Sequence, residues 1–162
     1  MNDLHQDLKG IQDRIKKSLF HIFTAESNDD SEKTWLIGRT ANQQLKKLIP
    51  QLSVLCLHTL EIISQHECIK GIDIAHNLNV TKGAISKVTR RLLNHGLIKK
   101  SQRPTNLKEI YFSVTPLGTE LANLHEQLHM EFDKKSLELL KRYDLASLEL
   151  VADFLENLSR LH

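Results

Sequence analysis

Apolar residues recur at spacings of three and four near the start of the chain, through Leu4, Leu8, Ile11, Ile15, Leu19 and Ile22. That period predicts an amphipathic helix over residues 3–24. Glu26 to Ser31, with Asn28, Asp29 and Asp30, reads as a polar break and a loop. A second helix is expected over residues 33–48, carrying Trp35, Leu36, Leu45 and Leu48, with Pro50 ending it. Ser53 then suits the N-cap of a helix that is apolar nearly all round, through Val54, Leu55, Cys56, Leu57, Leu60, Ile62 and Ile63. Such a helix belongs inside a core.

The next segments are shorter. Ile72, Ile74, Ala75 and Leu78 predict a small helix over residues 71–78, and Asn79-Val80-Thr81 a tight turn. Thr81 caps a further helix from Lys82 to His95, and Gly96 supplies its left-handed stop. Leu97 to Ser101 reads as a short strand. Ile110, Phe112 and Val114 alternate with Tyr111, Ser113 and Thr115, which predicts a half-buried strand. Gln102 to Glu109 between them suits an exposed hairpin loop. Thr115-Pro116 opens another helix, with Leu117, Leu121, Leu124, Leu128 and Phe132 on one face. A last helix runs from Leu145 to Leu161. The fold expected is mainly α with a small antiparallel β-wing. No internal repeat is evident.

Charge changes the picture where it is uneven. The net charge is only +2, yet no acid occurs between Asp73 and Glu109. That stretch holds eight of the 22 bases, namely Lys82, Lys87, Arg90, Arg91, Lys99, Lys100, Arg103 and Lys108, which leaves 14 bases against 20 acids elsewhere. A basic block in an otherwise acidic chain is an electrostatic footprint for a polyanion. Helix, three-residue turn, helix, strand, basic loop, strand is also the order of a winged helix-turn-helix. In that arrangement the second helix packs on the first with one face and enters the DNA major groove with the other. Ile85, Val88 and Leu92 share one face of the Lys82–His95 helix, and Lys82, Gly83, Ser86, Lys87 and Arg90 share the opposite one. With Thr81 at the helix start, Gly83 permits close approach, Ser86 and Lys87 are placed to reach base edges, and Arg90 and Arg91 to meet phosphates. Arg103 and Lys108 flank the wing loop, placed to track an adjacent minor groove.

The stretches LSVLCLHTLEII, IDIAHNLNVTKGAISKVTRRLLNHGLIKK and EIYFSVTPLG, from about Leu52 to Leu121, resemble the MarR family of regulators. The resemblance implies a homodimer built by the first and last helices, with two winged heads on a palindromic operator and control by an effector. The apolar stripes of residues 3–24 and 145–161 agree, being too apolar to face water on an isolated head. It divides the chain into a dimerisation helix and linker (1–50), a winged head (51–116) and carboxy-terminal dimerisation helices (117–162). The family's Asp-x-Arg at the wing is here Asn106 and Lys108, and Lys is a weaker groove ligand than Arg.

Two cysteines, Cys56 and Cys68, lie 12 apart without CxxC spacing, and read as reduced thiols rather than oxidant sensors. The histidines carry more. His125 and His129 are four apart on one helix, so both imidazoles converge on one side. Together with His58 they resemble the ligand positions of the zinc-sensing branch of the MarR family. The fourth ligand of that branch is a Glu whose matching position here is about Thr34, with Glu32 two residues away. The same histidines also suit hydrogen-bonded core positions. In that case the effector is a small apolar molecule held between the dimer helices and the heads.

Enzyme chemistry finds no foothold: there is no Gly-rich phosphate loop, no Ser/His/Asp arrangement and no paired carboxylates in an apolar pocket. No run approaches a membrane span, and Met1 to Gly10 has no apolar block, so the chain reads as cytoplasmic. The sequence therefore predicts a DNA-binding transcriptional regulator, most simply a repressor. Left open are a zinc- or other metal-responsive regulator of the same fold and a helical protein-interaction dimer without DNA specificity.

Overall fold

The hydroxyl of Ser53 accepts from the Cys56 amide and starts the central helix, which runs Val54–Ser64. A cap of this kind stabilises a helix by about 1 kcal/mol. In this computed structural model the described residues are 9–19, 29–103 and 106–161, the side chains of 29, 30 and 103–108 excepted. The expected ends of the first helix, the start of the polar break and the tip of the wing lie outside them. The helices are α1 (residues 9–19), α2 (Asp29–Arg39), α3 (Gln43–Leu48), α4 (Val54–Ser64), α5 (Gly71–Asn77), α6 (Lys82–Asn94), α7 (Pro116–Leu140) and α8 (Leu145–Ser159). A 3-10 turn covers Ile49–Gln51. The strands are β1 (Ile69–Lys70), β2 (Ile98–Arg103) and β3 (Asn106–Val114), antiparallel in the order β1-β3-β2.

Four expectations are corrected. Asp29 to Ser31 are the first turn of α2 rather than loop, and acidic residues there favour the positive end of the helix dipole. The helix expected over 33–48 is two helices. Asn42 takes an extended conformation and its Oδ1 accepts from the Gln44 and Leu45 amides at 2.9 and 3.4 Å, so α3 starts afresh. The loop expected over Gln102–Glu109 is mostly ladder, since Arg103 pairs with Asn106.

Finally, the β3 alternation does not hold. Ile110 is 45% exposed whereas Tyr111 and Phe112 are both buried. β3 is the central strand, and Tyr111 lies between Lys70 and Ser101, its hydroxyl donating to Glu109 at 2.8 Å. The strand on its far side, β1, is two residues long and was not anticipated. Lys70 donates to Glu109 at 2.7 Å and lies over the Tyr111 ring, which ties β1 to the wing. The Glu109 carboxylate holds the Lys70 ammonium above its ordinary range.

By its internal contacts the chain divides into Met1–His125 and Glu126–His162. In the first unit α4 packs on α5, α6 and β3. The core there includes Leu36, Leu45, Ile49, Leu57, Leu60, Ile63, Ile74, Ile85, Leu92, Leu97 and Leu121, each at most 2% exposed. Burying a side chain of this size contributes about 1.5–3 kcal/mol. In the second unit α8 has no buried residue, and Phe132, Leu145, Leu150, Val151, Phe154 and Leu155 are exposed. Asp144 caps α8, accepting from the Ser147 hydroxyl and amide at 2.6 and 2.9 Å. Those bonds hold its carboxyl below the ordinary range, so their stabilising effect is lost as pH falls through that lowered value.

Candidate functional site

The hydroxyl of Thr81 accepts from the Ala84 amide at 3.2 Å and opens α6, and Gly96, with φ +66°, follows its C-cap residue His95. Asn79, with φ 51°, makes the turn between α5 and α6. The period then sorts the helix into two faces. Ile85, Val88, Thr89 and Leu92 are buried. The Thr89 hydroxyl is satisfied by donating to the Ile85 carbonyl at 2.9 Å, so this inner face carries no polar cost.

Lys82, Gly83, Ser86, Lys87, Arg90 and Arg91 are all exposed on the other side. The predicted surface is thus assembled on one helix. A Cβ on Gly83 would meet only the Thr81 hydroxyl, at 3.9 Å. Internal packing does not require this glycine, and what its missing side chain leaves open is the outward approach. Lys99 and Lys100 on β2 are exposed as well. The acid that closes the acid-free stretch, Glu109, is engaged by Lys70 and Tyr111 at the root of the wing. The side chains of Arg103 and Lys108 lie outside the described residues.

A second constellation gathers on α2, α4 and the first turns of α7. His125 is buried, with its side chain 1% exposed, and its Nδ1 is 3.0 Å from Glu61 Oε2. On its other side Nε2 is 3.9 Å from Glu32 Oε2. His58, one turn before Glu61 on α4, sets its Nδ1 3.9 Å from the same Glu61 oxygen. Its ring meets that of His125 edge-on, with centroids 5.1 Å apart. One ligand atom each from His58, Glu61 and His125 lies within 4.8 Å of the others. His129 follows one turn along the same unbroken α7 and is half-buried.

The structure therefore brings His58 and His125 together, as the sequence suggested, and brings Glu32 rather than the exposed Thr34 to them. It adds Glu61, which sequence reasoning missed. The signal was present as His58-x-x-Glu61, a spacing that puts both side chains on one face of a helix.

The donor set fits a zinc ion. Zinc takes imidazole nitrogen and carboxylate oxygen at about 2.0–2.2 Å in a tetrahedron, so its ligand atoms stand about 3.3–3.5 Å apart. Atoms gathered within 4.8 Å lie within about 1.5 Å of that spacing. The cysteines take no part: Cys56 is buried and accepts from the Ser53 hydroxyl at 3.3 Å, and Cys68 is half-buried in another part of the fold.

Residues 49–110 match the model of the MarR family. The HTH-type transcriptional regulator YhjH of Bacillus subtilis (strain 168) is 29% identical over 137 residues, covering 81% of this chain and 78% of its own. Among solved structures, wild-type ZitR of Lactococcus lactis in complex with DNA has a TM-score of 0.72 at 20% identity, covering 92% of this chain and 95% of its own. A structure of L. lactis ZitR described as a zinc-responsive MarR family member has a TM-score of 0.71 at 20% identity, covering 93% and 97%. At such identities the structural likeness speaks for the fold. Among the described residues no helix is long and apolar enough to cross a membrane.

Proposed function

We propose that this chain, whose residues 49–110 match the MarR family model, is a homodimeric repressor of that family whose grip on operator DNA is set by a metal ion, zinc above all. The observation that carries the DNA reading is α6, with its buried face of Ile85, Val88, Thr89 and Leu92 and its exposed acid-free face. Ser86 and Lys87 read base edges in the major groove, and Arg90 and Arg91 meet the backbone. Thr81, Lys82 and Gly83 bring the helix start against the duplex, and Arg103 and Lys108 follow the phosphates beside the minor groove. Cytoplasmic location follows from that work.

The roles separate by mutation on a duplex selected by the wild-type protein from a random pool. Lys87→Ala should cost about 1–3 kcal/mol on the selected duplex and less on random DNA. Arg90→Ala should weaken both, and lower the slope of log affinity against log salt by about one unit per protomer. Equal losses on both duplexes for both variants would remove the distinction.

Dimerisation follows from the uncovered apolar residues. Ile11 on α1 and Leu150, Val151, Phe154 and Leu155 on α8 are each more than 40% exposed in the single chain. Apolar surface on this scale is covered in a stable protein, and a second copy is the occupant the family's DNA-bound architecture needs. Light scattering at micromolar concentration should give twice 18.6 kDa; a monomer would refute the dimer.

Zinc is supported by the convergence of Glu32, His58, Glu61 and His125. His129, four residues along α7 from His125, supplies a further imidazole. Bound there, zinc supplies cross-linking charge rather than reaction chemistry. Glu32, His58 and His125 then hold α2, α4 and the first turns of α7 at one fixed angle. In the dimer that angle sets the separation of the two α6 helices. Both enter successive major grooves only when they are about 34–36 Å apart.

A further inference from the structure

We propose that Glu61 is not a metal ligand but the residue that positions His125 to be one. This rests on the reading of the cluster as a metal site. A carboxylate only accepts hydrogen bonds. The 3.0 Å contact between His125 Nδ1 and Glu61 Oε2 therefore places the ring hydrogen on Nδ1. In the neutral ring, the form that binds a metal, the lone pair is then on Nε2, the nitrogen that faces Glu32 Oε2 at 3.9 Å.

Two carboxylates thus flank one buried imidazole in unlike ways. Glu61 is at hydrogen-bond distance from one nitrogen, while Glu32 stands 3.9 Å off the other, beyond hydrogen-bond reach. A tetrahedral zinc would draw that nitrogen and oxygen from 3.9 Å to about 3.3–3.5 Å, a closure of about half an ångström. A carboxylate behind a ligating histidine fixes its tautomer and ring plane and makes its other nitrogen a better donor. Glu61 is well held for this role. It sits in the third turn of α4, a helix capped by Ser53 and anchored in the core by Leu57, Leu60 and Ile63. Its neighbour one turn earlier, His58, is 3.9 Å from the same oxygen, close enough to share the carboxylate once a ligand draws the rings together.

The test uses the full-length protein and two variants. Glu61→Gln keeps the shape and a carbonyl oxygen that accepts from Nδ1; Glu61→Ala keeps neither. In zinc-free wild type, nitrogen-15 spectra of the histidine rings should show His125 as the Nδ1–H form. Glu61→Gln should retain it, and Glu61→Ala should show a mixture of tautomers. Zinc affinity, measured by competition with a chromophoric chelator, should fall about 10–100-fold in Glu61→Ala and less in Glu61→Gln.

The visible absorption of cobalt(II)-loaded protein should be the same in wild type and Glu61→Gln, because the donor set is unchanged. An altered cobalt spectrum in Glu61→Gln, with affinity lost as fully as in Glu61→Ala, would make Glu61 a ligand and overturn the proposal. An Nε2–H tautomer in wild type, or an unchanged tautomer in Glu61→Ala, would overturn it too. A wild-type protein that takes up neither metal would instead defeat the metal reading, and with it any role of Glu61 toward a metal. The tautomer spectra would still report separately whether Glu61 orients the ring.

Discussion

Replacing Gly118 by alanine should destabilise the protein by about 3 kcal/mol or more, although helix propensity alone favours alanine over glycine by about 1 kcal/mol. A Cβ at this position would lie 1.9 Å from the Leu97 carbonyl oxygen and 2.9 Å from its carbon. Both are backbone atoms, and the oxygen is already committed. It accepts from the Thr115 amide at 3.1 Å and from the Thr115 hydroxyl at 3.1 Å, and that same hydroxyl accepts from the Gly118 amide. Leu97 stands between the end of α6 and the start of β2 and is fully buried, so it has no room to retreat. The start of α7 is thereby clamped to the point where α6 ends, with no room for a side chain at Gly118. Urea unfolding at fixed protomer concentration should show a lower midpoint at unchanged slope. An unchanged or raised midpoint would show that α7 is not seated against Leu97 in this way.

The parts of the fold that were legible in the sequence are those governed by local rules. α6 was readable because cap, apolar period and glycine stop all fall within residues 81–96 and agree. α4 was readable from Ser53 and an unbroken apolar run. What escaped was set by partners distant in sequence. β1 has two residues, too short to show a period, and exists because β3 pairs with it across some 40 positions. Tyr111 is buried against the alternation because Lys70 and Glu109 give its ring and hydroxyl partners. The break between α2 and α3 was local and was missed, although Asn42 has strong capping chemistry and the apolar period lapses between Ile37 and Leu45.

The candidate sites divide in the same manner. The exposed face of α6 proposed to read DNA follows from one helix's period and could be listed from sequence. The histidine cluster draws on three helices. The spacing of His125 and His129 was visible, and likeness to a family suggested His58. Glu61 is advertised only by its i,i+3 spacing from His58, which many acids on helices share. Only the approach of α7 to α4 shows that it faces His125.

The central claim is that occupancy of this cluster sets operator affinity, and chelation tests it most directly. Binding of the dimer to its selected duplex is titrated in zinc-replete buffer, after removal of metal by a strong chelator, and after zinc is restored. The same series is run for His58→Ala, His125→Ala and His129→Ala. If zinc favours the DNA-competent state, linkage requires affinity to fall on chelation, by about 5–150-fold for a coupling of ordinary size, and to recover with zinc. The three variants should bind as the chelated wild type does and ignore zinc. Wild-type affinity that is indifferent to chelator and zinc, with His125→Ala and His129→Ala binding the duplex normally, would contradict the account and leave these histidines as structural residues.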